Sequence, residues 1–317
     1  LYPRLNMLMT LLLIALLVII AAPILLYAFA PAPLYRQIQK AIRRKGRLTR
    51  KTVKVSGLDW PYLVGGPENG EIVVMVHGFG ADKDHWSFYA PHLTDRYRLI
   101  APDLPGFGEN DLSADRDYSI AAQTARLIAF LDAMGIERCH LGGNSMGGYI
   151  ALQAALEHPG RLKSLTLLNN AGVAGANESE LQQMAGDGAN PLVMREFADV
   201  DRLMAFVSHR PRPIPTQFKK VMFKEAKRRE ALLDSIFWAI AADSLERPVN
   251  DRLADVKTPT LVVWGRHDRL IDVSCVAPIK AGIPNCQAVI LEDIGHLPMI
   301  EAPETLATHH LPFLAKA

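Results

Sequence analysis

Short runs of apolar residues alternate along most of the chain with segments whose apolar positions recur at helical spacing. The apolar runs predict strands at 62–64, 72–77, 99–101, 139–142, 165–169, 260–264 and 288–291. Segment 119–134 illustrates the helical pattern, because Ser119 can cap its start and Gly135 can end it. This alternation predicts a mostly parallel central sheet flanked by helices on both faces.

One interval interrupts the alternation. Residues 171–257 contain no apolar run of strand type, whereas 192–207 and 218–242 have helical patterns separated by a proline-rich breaker at 211–215. We therefore expect a helical cap at 171–257, inserted into a core formed by 55–170 and 258–317. Ligands of such sheets bind at the carboxyl ends of the strands, so the cap should line the pocket.

The N-terminal pattern is different, because residues 5–30 carry no charge. The apolar run 8–29 exceeds the roughly 20 residues that a membrane-spanning helix needs, and it predicts a transmembrane helix over 5–30. A cleaved signal sequence is the main alternative, but its apolar part usually has only about 7 to 15 residues. A buried core helix fits less well, since the segment contains Pro23 and has no polar face.

Segment 31–54 is strongly basic and contains no acidic residue. Leu34, Ile38, Ala41 and Ile42 recur at helical spacing, which fits a helix lying on a lipid surface as well as a solvated linker. The positive-inside rule favours a cytoplasmic location for this segment and the residues that follow it, although so few charges precede the span that the side of the cell membrane stays open. The basic residues are Arg36, Lys40, Arg43, Arg44, Lys45, Arg47, Arg50, Lys51 and Lys54.

Composition sets wide bounds on the remaining chain. With 317 residues, 49% of them hydrophobic, it can bury one large core or two modest ones. A net charge of +2 and the lack of a nucleic-acid-binding motif argue against a nucleic-acid partner. Cys139, Cys275 and Cys286 have no metal-ligand spacing and fit buried thiols, while a Cys275–Cys286 disulfide depends on the compartment.

A candidate nucleophile lies between a predicted strand and a predicted helix. Ser145 is flanked by Gly143 and Gly147 in a G-x-S-x-G string, directly after the strand at 139–142. In this setting the tight turn needs small flanking residues and exposes the serine hydroxyl at the start of the helix. The context, more than the string itself, predicts a nucleophile elbow.

A serine hydroxyl is a weak nucleophile and needs a base, which in turn needs an orienting carboxylate. Asp268 and His296 each follow a predicted strand, in the chain order Ser, Asp, His. Asp272 and Asp293 are rival acids that could instead belong to turns or caps. We expect the histidines at less favourable positions to be surface residues: His85, His92, His158, His309 and His310.

The negative oxygen of a tetrahedral intermediate needs two donors, usually backbone N–H groups. Met146 supplies one, and Phe79 in the loop after the strand at 72–77 is the candidate for the second. His77 is expected to hold this loop, and Asp103 to be a turn residue. This chemistry requires no metal and no organic cofactor.

These motifs resemble the α/β-hydrolase superfamily. The resemblance is carried by His77-Gly78-Phe79-Gly80, Asp103-Leu104-Pro105-Gly106, Asn144-Ser145-Met146-Gly147-Gly148, Trp264-Gly265-Arg266-His267-Asp268 and Gly295-His296. With the anchor and the basic segment, the chain looks similar to membrane-anchored monoacylglycerol lipases and to bacterial phospholipase A and lysophospholipase relatives. That resemblance implies hydrolysis of fatty-acyl esters of membrane glycerolipids through an acyl-serine, with a fatty acid as product.

Two other functions remain open at this stage. Hydrolases that cleave carbon–carbon bonds of ring-fission products share the elbow motif but are generally soluble. A non-catalytic membrane-tethered binding protein of the same fold would not need the predicted triad and oxyanion loop. A homodimer has no support in the sequence, because the apolar segment lacks a Gly-x-x-x-Gly pattern.

Overall fold

The computed structural model describes residues 2–317, apart from the side chains of 2–5, 8, 18, 245 and 246. Within these residues eight strands form one sheet in the order β1-β2-β4-β3-β5-β6-β7-β8. The β1–β2 and β2–β4 pairs are antiparallel and all other neighbours are parallel. The strands are β1 (Thr49–Val55), β2 (Leu58–Gly65), β3 (Ile72–Val76), β4 (Arg98–Pro102), β5 (Cys139–Asn144), β6 (Leu162–Leu168), β7 (Thr260–Gly265) and β8 (Cys286–Leu291).

The helices are α1 (Tyr2–Phe29), α2 (Pro31–Lys45), α3 (Ala90–Leu93), α4 (Ile120–Ala133), α5 (Met146–Glu157), α6 (Glu180–Gly186), α7 (Asp199–Val207), α8 (Thr216–Lys227), α9 (Glu230–Ala241), α10 (Val276–Gly282), α11 (Pro298–Glu301) and α12 (Pro303–Leu314). Helices α1 and α2 precede β1 in the chain, and α6 to α9 lie between β6 and β7. The other helices flank the sheet. Shorter turns lie at Lys83–Phe88, Pro159–Arg161, Asn250–Asp255 and Val273–Cys275, with a π turn at Ala242–Glu246.

The predicted parallel sheet is confirmed, and each predicted strand coincides with an observed one. Strand β1 was not predicted, and its residues 49–54 belong to the basic segment 31–54. Most of its side chains are exposed, and it pairs with β2 alone. Lysine and arginine on an edge strand discourage pairing with other chains, which explains a strand without a regular apolar face.

The segment between β6 and β7 is helical, but its helices differ from the predicted ones. The helix expected at 192–207 begins only at α7, and the one expected at 218–242 divides into α8 and α9. Helix α6 was not predicted, although Ser179 and Gln182 form a capping box at its start. No strand occurs in the described residues of 171–257.

Helix α1 has the length and composition of a membrane span. Its part Met9–Phe29 comprises 21 residues with mean hydropathy 3.0, and none of this surface is buried within the protein. The end of α1 and the start of α2 contact the segment between β6 and β7, because the rings of Tyr27 in α1 and Tyr35 in α2 lie 5.5 Å and 5.7 Å from that of Phe218 in α8. The anchor candidate is therefore joined to the predicted cap.

The three cysteines are buried free thiols. Burial raises the pKa of Cys139 and of Cys275 to about 12 and that of Cys286 to about 11. Thiols with such high pKa values are protonated at neutral pH and are poor nucleophiles, so they act as small apolar side chains of the core.

A buried ion pair supports the loop after β4. Lys83 and Asp103 are 1% and 0% exposed, and Lys83 Nζ lies 2.7 Å from Asp103 Oδ2. Burial alone would lower the pKa of Lys83, but the negative charges around it outweigh burial and raise that pKa. Asp103 also accepts the backbone N–H of Glu109, so it is a buried ion-pair residue as well as the expected turn residue.

Replacing Lys83 with methionine should strongly destabilise the protein. The change leaves the Asp103 carboxylate buried without its counter-ion, which costs about 3 to 5 kcal/mol. Urea unfolding of the detergent-solubilised chain measures this loss. The control Arg47→Gln breaks an exposed pair with Asp95 and should change stability by no more than about 0.5 kcal/mol. Equal unfolding midpoints for Lys83→Met and the parent would contradict the assignment.

Candidate active site

Ser145 lies at the sharp turn between β5 and α5. Its backbone has φ 58° and ψ −121°, a positive φ that non-glycine residues rarely adopt. The Ser145 N–H donates to the Leu168 carbonyl at 3.0 Å, which fixes the turn to the neighbouring strand. A Cβ at Gly147 would collide with the carbonyl oxygens of Val76, at the end of β3, and of His77, which follows it, so the turn needs a glycine there.

Asp268 and His296 meet beside this turn. Asp268 follows β7, His296 follows β8, and Asp268 Oδ2 lies 2.7 Å from His296 Nδ1. Both residues are buried, with exposures of 6% and 3%. The other oxygen of Asp268 accepts the backbone N–H groups of Leu270 and Ile271 at 2.8 Å and 3.1 Å, which fixes the orientation of the carboxylate that faces the imidazole.

The rival acids have other partners. Asp272 accepts the N–H of Ser274 and caps the turn at Val273–Cys275, and Asp293 pairs with Arg210 on the surface. The other histidines are only partly where we expected them. His310 is 1% exposed and contacts Tyr89 and Thr166, so the expectation of a surface residue was wrong.

Two asparagines that the sequence analysis did not identify support the pair. Asn169 Nδ2 donates to Asp268 Oδ2 at 2.7 Å, so this carboxylate oxygen is shared between Asn169 and His296. Asn144 Nδ2 donates to the His296 carbonyl at 3.0 Å and to the Leu168 carbonyl at 3.1 Å. Both asparagines lie at the carboxyl end of a strand. The sequence analysis used the same position to identify Asp268 and His296.

Asp268 and His296 are therefore paired, and Ser145 lies at the same edge of the sheet. The described side chains include no hydrogen bond between the Ser145 hydroxyl and His296. Catalytic hydrogen bonds are often long before substrate binds. Ser145 is half-buried and lines an adjacent pocket.

The loop after β3 lies against Ser145. A Cβ at Gly78 would lie 3.1 Å from the Ser145 Cβ, so the backbones approach closely. His77 Nδ1 donates to the Gly78 carbonyl at 2.8 Å, and the Leu104 N–H donates to His77 Nε2 at 3.1 Å. Burial lowers the pKa of His77 to about 4, so its ring is neutral at pH 7 and can accept. His77 holds the loop, as expected.

The N–H groups of Phe79 and Met146 have no hydrogen-bond acceptor among the described residues. Met146 is the first residue of α5, where backbone N–H groups lack helical partners and the helix dipole favours an anion. Phe79 and Met146 both line the pocket that contains Ser145. Two unpaired donors therefore border the serine.

The pocket beside Ser145 is mainly apolar. One wall comes from residues of the sheet loops, such as Phe79 and Leu270, and the other from residues between β6 and β7. The second wall includes Leu181, Ala185, Leu192, Phe237 and Ile240. Such a surface suits a hydrocarbon chain with its reactive end at the serine.

Glu301 was also missed by the sequence analysis. Its Oε2 accepts the N–H groups of His209 and Gly295 at 2.8 Å and 3.1 Å, and its Oε1 accepts that of Leu297 at 3.1 Å. Gly295 and Leu297 flank His296, while His209 follows α7. One carboxylate thus fixes the backbone on both sides of His296 and joins it to the segment between β6 and β7.

Comparison with known proteins identifies the family of this chain. A model of the α/β hydrolase fold matches residues 71–303. The chain belongs to the α/β-hydrolase fold family. Lipase 1 of Psychrobacter immobilis is 36% identical over 273 residues, which are 86% of each chain. The monoacylglycerol lipase abhd6-A of Xenopus laevis is 31% identical over 263 residues, 79% of this chain and 77% of its own.

Two solved structures have a similar fold. A membrane phospholipase A described as a bacterial virulence factor has a TM-score of 0.88 and 36% identity, covering 97% of this chain and 98% of its own. A meta-cleavage product hydrolase from Pseudomonas fluorescens IP01 has a TM-score of 0.72 and 23% identity, with coverage of 84% and 97%. At that identity the second likeness shows the fold alone.

Glu301→Gln should lower the turnover of an ester substrate. In the variant, the amide NH₂ group faces a backbone N–H that binds a carboxylate oxygen in the parent, so the loop moves. A displacement of His296 by about 1 Å can cost on the order of 10²-fold in rate. We expect kcat to fall with little change in KM, measured at a temperature where circular dichroism shows a folded protein. The exposed Glu304→Gln on α12 is the matched control. An unchanged kcat would contradict a positioning role for Glu301.

Proposed function

We propose that this protein is a membrane-anchored serine carboxylester hydrolase that releases fatty acids from glycerolipids. Ser145 is the nucleophile, His296 the general base and Asp268 the residue that orients His296. The observation that carries the proposal is the buried Asp268–His296 hydrogen bond beside a strained serine that opens into an apolar pocket.

In the first half of the reaction, the Ser145 oxygen attacks the ester carbonyl while His296 Nε2 takes the hydroxyl proton. Asp268 at Nδ1 fixes the imidazole with Nε2 free to accept and stabilises the imidazolium. The carbonyl oxygen becomes negative and accepts the N–H groups of Phe79 and Met146. Collapse of this intermediate breaks the ester bond, and the imidazolium protonates the departing glycerol oxygen.

In the second half, water attacks the acyl-serine. His296 takes a proton from the water, the same two N–H groups stabilise the new oxyanion, and the Ser145 oxygen leaves with the proton from His296. The products are a free fatty acid and the original serine. Every proton that the reaction moves is carried by His296, so the scheme requires no metal or organic cofactor.

The acyl specificity is supported by the pocket and by the relatives. The apolar wall between Leu181 and Ile240 offers burial to a chain of methylene groups, each worth about 0.8 kcal/mol. The relatives with 30% identity or more carry the names lipase, monoacylglycerol lipase and phospholipase A. A carbon–carbon hydrolase is the weaker candidate, because its support is a shared fold below 25% identity.

Membrane attachment is supported by the exposed apolar surface of α1. A contiguous apolar surface of this size is unfavourable in water and matches the thickness of a bilayer. In α2, Arg36, Lys40 and Arg44 recur every four residues and are exposed, so they can contact anionic head groups. Other basic residues of segment 31–54 face carboxylates of the core, with Arg43 bound to Asp84 and Arg50 to Glu109.

Substitution of Ser145 by alanine should abolish fatty-acid release. Loss of a serine nucleophile in a triad costs about 10⁶-fold in kcat. The measurement is turnover of a monoacylglycerol, a lysophospholipid, a diacyl phospholipid and a ring-fission dienoate by both purified proteins. Folding of the variant is checked by its melting temperature.

Two results would overturn this function. Turnover of the dienoate alone would favour the carbon–carbon hydrolase. A parent protein that hydrolyses no substrate and does not react with a fluorophosphonate probe would favour the non-catalytic binding protein.

Removal of residues 1–30 should release the protein from neutral phosphatidylcholine vesicles in a flotation assay, because α1 supplies the apolar surface. The truncated protein should bind again when anionic lipid is added, since each exposed basic residue at the surface contributes about 1 kcal/mol. Arg36→Gln combined with Lys40→Gln should remove that second binding. Equal flotation of the truncated and full-length proteins on neutral vesicles would show that α1 is not the anchor.

A further inference from the structure

A second group of reactive side chains lies outside the apolar pocket. The ring nitrogens of His209 and His267 and the carboxylate of Asp293 lie within 4.8 Å of one another. The two imidazole rings are stacked, with centroids 3.9 Å apart and planes inclined by 11°. The mechanism proposed above uses none of these three residues.

The three residues come from separate parts of the chain that the backbone holds together. His209 follows α7, His267 follows β7 and Asp293 follows β8. The His209 N–H donates to Glu301 at 2.8 Å, and the His267 N–H donates to the carbonyl of Ile294, next to Asp293, at 2.9 Å. Their Cα positions are therefore fixed, while the side chains remain half-buried or exposed.

A second pocket gives solvent access to the two histidines. It is polar, in contrast to the pocket at Ser145, and its lining includes Glu178, Ser208, His209 and His267. An ion can therefore reach these imidazoles without passing through the acyl pocket.

We propose that His209, His267 and Asp293 form a binding site for a divalent transition-metal ion of the Zn²⁺ type. Imidazole nitrogen and carboxylate oxygen are common zinc ligands at about 2.0 to 2.2 Å, and hard ions such as Mg²⁺ prefer oxygen ligands alone. Three protein ligands leave the fourth tetrahedral position to water. The site differs from the hydrolytic centre in residues and in chemistry.

Binding requires a small rearrangement of side chains. Tetrahedral bonds of this length place ligand atoms roughly 3.4 Å apart, so the three donors must approach and the stacked rings must splay. Rotation of the exposed His267 ring permits this. Asp293 must also leave Arg210, whose nitrogen lies 2.9 Å away, but that pair is 74% and 69% exposed and such pairs contribute little.

The bound ion would link the end of α7 to the loops that carry Asp268 and His296. His296 already receives a backbone contact from this side, because its N–H donates to the carbonyl of Val207 at 3.0 Å. The metal would therefore restrain the segment between β6 and β7 against the core. This consequence concerns stability and does not depend on the proposed reaction.

The test is calorimetric titration of the full-length, detergent-solubilised protein with Zn²⁺, together with its melting temperature. We expect one equivalent to bind and the melting temperature to rise. His209→Gln and His267→Gln each remove a metal ligand. Each should weaken Zn²⁺ binding by more than the roughly 10- to 100-fold that loss of a residue hydrogen-bonded to a ligand causes. His309→Gln on α12 is the matched control and should bind as the parent does. Melting curves without zinc confirm that each variant folds.

Arg210→Gln provides a test in the opposite direction. It frees Asp293 from its present partner and should tighten Zn²⁺ binding, a result that random surface binding to histidine would not give. Unchanged affinity in both His209→Gln and His267→Gln would overturn the proposal. So would affinity that is lost in His296→Gln and retained in those two variants, because zinc would then bind at the hydrolytic centre.

Discussion

The positive φ of Ser145 is the constraint around which the rest of the site is arranged. A non-glycine residue in such a conformation costs roughly 1 to 3 kcal/mol and persists only where its surroundings enforce it. Here the Leu168 carbonyl binds its N–H, and Gly147 lets β3 pass within contact distance. The same turn leaves the N–H of Met146, the first of α5, without an acceptor among the described residues.

The parallel order of β3 and β5 to β8 brings the other groups to this serine. Each loop that contributes a group follows the carboxyl end of a strand, so residues more than a hundred positions apart meet at one edge. Asn144 and Asn169 connect these loops directly: the first binds the backbone of His296 and the second the carboxylate of Asp268. A shift of one loop is thereby transmitted to its neighbours.

The sequence was sufficient for features that depend on local pattern. Buried strands appear as apolar runs, and Ser145, Asp268 and His296 follow such runs, so both the sheet and the edge at which these residues meet could be predicted. Strand β1 was missed because an edge strand needs no regular apolar face. The division between α8 and α9 near Arg229 occurs without a glycine or proline. Glu301 was missed because its role rests on three backbone N–H groups, of which that of His209 is distant in the chain.

The aromatic contact between Tyr27, Tyr35 and Phe218 has a consequence for how this enzyme meets its substrate. Phe218 belongs to α8, which lies in the same segment between β6 and β7 as the helices α6 and α9 that line the pocket at Ser145. If α1 anchors the protein as proposed, tilting of α1 in a thicker or thinner membrane would act first on α8, and through α8 on the segment that forms one wall of the pocket.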